Sequence, residues 1–91
     1  MTDGPFLRPP PGQRTFLIEA QQGADVVLRV LGPFAVQGVE ILTMEASQRI
    51  GGLSIRIEAG GLAEAAAQGL ANRLRAMPSV TGVGLGWRAE A

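Results

Sequence analysis

The chain has 91 residues, eight Lys+Arg against eight Asp+Glu, and no Cys or His. That length fits one domain, and 46% hydrophobic with 18% charged residues excludes a disordered chain. All the positive charge is Arg, the net charge is zero, and no basic patch is available to neutralise phosphates, so a nucleic-acid partner is not expected.

The missing residue types exclude more. Without Cys, His, Tyr or Lys there is no thiolate, no imidazole base or metal ligand and no Schiff-base amine. No enzyme chemistry, metal or other cofactor is expected. The opening "MTDGPFLRPPPGQR" lacks a cationic n-region and an apolar h-region. No apolar run approaches the ~20 residues of a membrane helix. The expectation is a soluble, cytoplasmic protein with no membrane partner.

Residues 1–13 form a Pro/Gly-rich arm, in which Pro9, Pro10 and Pro11 exclude helix. A folded domain over 14–91 follows. Residues 14–21, "RTFLIEAQ", read as a strand, with Phe16, Ile18 and Ala20 on one side and Leu17 and Glu19 on the other. Residues 25–37 read as a helix with an apolar stripe of Val27, Val30, Leu31 and Phe34. Asp25 is its expected N-cap, the carboxylate accepting an orphan backbone N–H. Pro33 inside it removes one hydrogen bond and predicts a kink near Gly32. Gly38 is the expected left-handed residue that ends the helix.

Residues 39–47, "VEILTMEAS", are apolar on both faces, Val39 and Ile41 on one, Leu42, Met44 and Ala46 on the other. Such a pattern predicts a strand buried on both sides. Gly51-Gly52 makes a turn, and residues 53–58 alternate, with Leu53, Ile55 and Ile57 inward. After Gly60-Gly61, residues 62–76 read as a second helix with Leu62, Ala66, Leu70, Leu74 and Met77 on one face, stopped by Pro78. Residues 80–88 make a last strand, with Val83, Leu85 and Trp87 on one face and Gly82, Gly84 and Gly86 on the other. A row of glycines weakens a strand, and either a close backbone approach or a plain exposed edge accounts for it.

The order strand, helix, strand, strand, helix, strand is α+β and ferredoxin-like: a four-stranded antiparallel sheet with both helices on one face. Several functions of that architecture fail on residue types. A base-stacking RNA sheet needs aromatic residues that "GGLSIRIE" lacks. "GVGLG" lies in a strand with no helix after it, so it is no dinucleotide turn. An acyl-phosphate hydrolase needs an Asn on a strand, and the only Asn, Asn72, falls on the second helix. What remains is "QQGAD", residues 21–25, between the first strand and first helix. A helix N-terminus suits a carboxylate ligand, and Gly23 lets a ligand approach the backbone, but the plainer reading of the same residues, a tight turn ending in an N-cap, comes first.

"RVLGPFAVQGVEILTMEA" resembles the helix-to-strand segment of ACT domains, regulatory modules of amino-acid metabolism, with Arg29, Val30, Leu31, Gly32, Ala35, Gly38, Val39 and Ile41 in register. The resemblance covers about residues 14–88. "VLRVL" and "TMEAS" are most similar to the small regulatory subunit of acetolactate synthase, in branched-chain amino-acid biosynthesis. The resemblance implies a homodimer formed side by side through the second strand and first helix. It also implies a large catalytic synthase subunit as partner and an effector amino acid at Gln22, Gly23, Ala24 and Asp25, with Gly38 marking the helix end. Ala24 and Asp25 depart from the Pro-Gly that many amino-acid-binding members carry, and a carboxylate there repels another. A dimerisation or scaffold domain that binds no effector is the alternative.

Overall fold

The structure, a computed structural model, describes residues 13–87. Its elements are β1 (Arg14–Ala20), α1 (Val26–Gln37), β2 (Glu40–Arg49), β3 (Gly52–Gly60), α2 (Glu64–Arg75) and β4 (Val80–Trp87). The expected arm over residues 1–12 and the strand end at Arg88 lie outside the described residues. Gln13, assigned to the arm from sequence, is buried, and its side-chain amide donates to Glu58 Oε1 at 3.4 Å.

The strands form one antiparallel sheet in the order β2-β3-β1-β4. β1 and β3 occupy the centre because both alternate cleanly. Phe16 stands opposite Ile57 and Ile18 opposite Ile55, so the apolar rows of both strands share one face. α1 and α2 lie on that face. Val26, Val30 and Phe34 from α1, and Ala67, Leu70, Ala71 and Leu74 from α2, complete a single core with the strands. The Phe16 and Phe34 rings meet edge to face, centroids 5.1 Å apart at 82°. Val27, Leu31, Ala66 and Met77, expected on the apolar stripes, pack half-buried around the core.

α1 is one uninterrupted helix through Pro33. Pro33 has no N–H, so the Arg29 carbonyl lacks its usual donor four residues on. Gly38 ends the helix at φ 69°, ψ 32°. Its N–H reaches Ala35 O at 3.1 Å and the Val39 N–H reaches Phe34 O at 3.0 Å, satisfying carbonyls the last turn leaves open. Only glycine takes that conformation without a Cβ penalty.

β2 corrects the sequence reading. It is exposed at all ten positions, not buried on both sides. The reason is its place: β2 is an edge strand, and α1 overlaps it only slightly. Its face assignment changes too. The register shifts between Ile41 and Thr43, which leaves Leu42 without a partner across the ladder. That bulge puts Ile41, opposite Ala59, on the same face as Met44, opposite Ile57. The sequence alternation had placed them on opposite faces.

Candidate functional site

The loop from Gln21 to Asp25 joins the end of β1 to the start of α1. It is tied down at three points. The Gln21 N–H donates to Ser79 O at 2.8 Å. The Gln22 side-chain amide donates to Arg49 O and Gly52 O, both at 3.3 Å, so this residue clamps the β2–β3 hairpin. The Val26 N–H turns back to Gly23 O at 3.3 Å.

Gly23 has a packing reason within the chain. A Cβ there would stand 2.9 Å from Val26 Cγ2, and Val26 is buried in the core. Asp25 holds the N-cap position, yet its carboxylate makes no capping bond to the backbone. It pairs instead with Arg29 Nε one turn along, at 2.6 Å, on the exposed surface. This corrects the expected side-chain cap: the guanidinium competes successfully for the carboxylate. The Arg29 hydrogen bond, aided by one from Asp25's own backbone N–H and by the guanidinium charge, holds the Asp25 carboxyl below the ordinary carboxylate range. Gln22, Gly23, Ala24 and Asp25 are therefore brought together as one exposed turn. Gly38 is not part of it, standing at the far end of a 12-residue helix, about 18 Å away along its axis.

The two sheet edges differ. Along β4, the Arg75 guanidinium donates from Nη2 to Val83 O at 3.2 Å and from Nη1 to Asn72 Oδ1 at 2.9 Å. A cation thus sits on an outward carbonyl of that edge, a common protection against strand addition. β2 is a long edge bearing half-exposed Ile41, Leu42 and Met44, and Ile50 just beyond it is fully exposed. On α1, Leu28 and Val36 point outward at 72% and 76% exposure. Apolar side chains on an edge strand and a nearby helix are an interaction surface in the making. The apolar pattern of β2 taken alone reads as core, whereas the family resemblance implied a contact surface on this strand and helix.

A model of the ACT-like domain family matches residues 12–90. The chain belongs to that family. Among solved structures, this ACT-like domain is similar to the ACT domain of GTP pyrophosphokinase from Chlorobium tepidum. The crystal structure of that domain superposes with TM-score 0.71 at 14% identity, covering 81% of this chain and 96% of the other. Its solution structure gives 0.70 at 14% identity, covering 80% and 83%. The C-terminal domain of the MgtC protein from Mycobacterium tuberculosis gives 0.66 at 11% identity, covering 92% and 90%. No curated protein matches. At such identities the neighbours establish the fold, and the family match establishes an ACT-type regulatory domain.

The open face of this ACT-like domain, away from the helices, carries a shallow polar trough of about 350 Å³ lined by Leu17, Glu19, Glu45, Arg49, Ser54 and Arg56, among others. Ser54 Oγ donates to Glu19 at 2.6 Å and Arg56 pairs with Glu58 at 3.0 Å, so much of its polarity is internally matched. On the same face, Gly82, Gly84 and Gly86 of β4 stand opposite Glu19, Leu17 and Thr15 of β1. A Cβ on Gly84 would meet Leu17 only at 3.9 Å and one on Gly82 would meet nothing, so no close approach inside the chain demands those glycines. Among the described residues no cluster of three acidic, His or Cys side chains could hold a metal, and no helix is long and apolar enough to cross a membrane.

Proposed function

We propose that this ACT-like domain is a non-catalytic regulatory module that works in the cytoplasm as a homodimer, joined along β2 and α1 of each copy. One observation carries the reading: β2 is a ten-residue edge, exposed throughout and apolar in part, while on the other edge Arg75 occupies the Val83 carbonyl. Pairing two such edges satisfies their outward backbone groups and removes apolar surface from water. Sedimentation equilibrium of the purified chain tests it. A dimer that weakens in Met44→Lys supports the reading, and a monomer at every concentration rejects it.

The finer reading is the small regulatory subunit of acetolactate synthase, supported by "VLRVL" and "TMEAS" at residues 27–31 and 43–47. Mixing the chain with the large catalytic subunit tests it: altered activity supports the pairing, and no association rejects it. An effector amino acid would sit at Gln22–Asp25. A second reading, dimerisation without an effector, is favoured by that loop, where Asp25 is engaged by Arg29 and Gln22 by the hairpin. Calorimetric titration with valine, leucine and isoleucine separates the two, since saturable heat rejects the second.

A further inference from the structure

Resting on the homodimer reading above, we propose a specific register for its seam: two β2 strands pair antiparallel with Ser47 on the two-fold axis. Residues facing the open side of β2 are Thr43, Glu45, Ser47 and Arg49, opposite Glu58, Arg56, Ser54 and Gly52 of β3. Within one chain Glu45 and Arg49 share a face but stand four residues apart, about 13 Å along the strand, too far to pair. Glu45 faces Arg56 across the ladder, whereas Arg49 faces only Gly52, which offers no carboxylate. Among the described residues no ion pair is formed by Arg49.

A symmetric antiparallel pair places residue i opposite a residue whose number is fixed by the axis, and opposed residues share a face. An axis on Glu45 sets Glu45 against its own copy, and one on Arg49 sets two guanidinium groups together. An axis on Ala46 leaves Glu45 against Ser47 and Arg49 against Thr43. The axis on Ser47 alone places Glu45 opposite Arg49 of the second copy, twice by symmetry. The same register brings Met44, 39% exposed, toward the hairpin turn of the second copy, where Ile50 is fully exposed. Charge matching on the open face therefore selects one alignment, and a one-residue slip of either strand loses it.

The chain's lack of cysteine gives a clean assay. Ser47→Cys brings two thiols together on the axis, so mild oxidation is expected to link most of the protein as a disulfide dimer, while Thr43→Cys stays unlinked. Independently, Arg49→Glu alone and Glu45→Arg alone are each expected to weaken self-association about tenfold or more by setting like charges together. Mixing the two variants restores a dimer, because each Glu then meets an Arg across the seam. Circular dichroism melts establish that both variants are folded. A wild-type dimer in which Ser47→Cys fails to link, or a mixture that associates no better than its parts, overturns the register while leaving the homodimer standing. A wild-type chain that is monomeric at all concentrations overturns both.

Discussion

Phe34→Ala removes a ring that is fully buried between α1 and the sheet and stands edge-on to Phe16. Truncating a buried Phe costs about 3–5 kcal/mol through lost burial and the cavity left behind. The edge-to-face pair, with centroids at 5.1 Å, contributes ~0.5–1.5 kcal/mol of that. A domain of this size has a total stability of roughly 5–14 kcal/mol. The substitution therefore removes at least about a fifth of the whole and approaches all of it at the lower bound. Urea unfolding followed by circular dichroism reads the change as a lower midpoint at unchanged slope. Val36→Ala is the control: it lies on the same helix at 76% exposure, and in dilute solution it shifts stability by no more than about 0.5 kcal/mol. A Phe34→Ala loss below about 1 kcal/mol, the size of a surface change, would refute the packing of α1 onto β1 described here.

Three further outcomes follow from the same geometry. Gly38→Ala forces a Cβ into the left-handed region at φ 69° and lowers stability by ~1–2 kcal/mol in thermal unfolding; an unchanged midpoint would contradict the cap. Gly23→Ala drives a Cβ to 2.9 Å from buried Val26 and destabilises, whereas Gly82→Ala meets nothing and is neutral or stabilising by up to about 1 kcal/mol; equal effects at both positions would contradict the packing account of Gly23. Asp25 titrates below the ordinary carboxylate range because of Arg29. A depressed folded-state pKa means that its stabilising contribution is present at neutral pH and is lost as pH falls through that pKa. Carbon-detected NMR titration should show the pKa rising in Arg29→Ala, and an unmoved pKa would contradict the pairing.

The fold was legible where local signals agreed. β1 and β3 alternate with period two, Gly38 and Pro78 mark helix ends, and the order of elements leaves few topologies. Boundaries shifted by a residue or two, as helix and strand ends do. β2 was misread because the same apolar pattern fits a central strand covered on both faces and an edge strand left open; position in the sheet decides which, and the strand's own sequence does not display it. The bulge at Leu42 then reversed the face of Ile41, which alternation cannot reveal. At the loop, the position of "QQGAD" was legible but its contacts were not. Asp25 had two competing partners, the backbone N–H groups and Arg29, and spacing alone does not rank them. Gln22 reaches β2 and β3 residues that lie 27 and 30 positions away, a contact only the folded sheet creates.

Amide hydrogen exchange along β2, measured across a range of protein concentrations, tests the homodimer seam most directly. The account predicts that outward β2 amides between Glu45 and Arg49 gain protection as concentration rises, while β4 amides stay constant. Protection in β2 that does not change with concentration, or that grows in β4 instead, would contradict it.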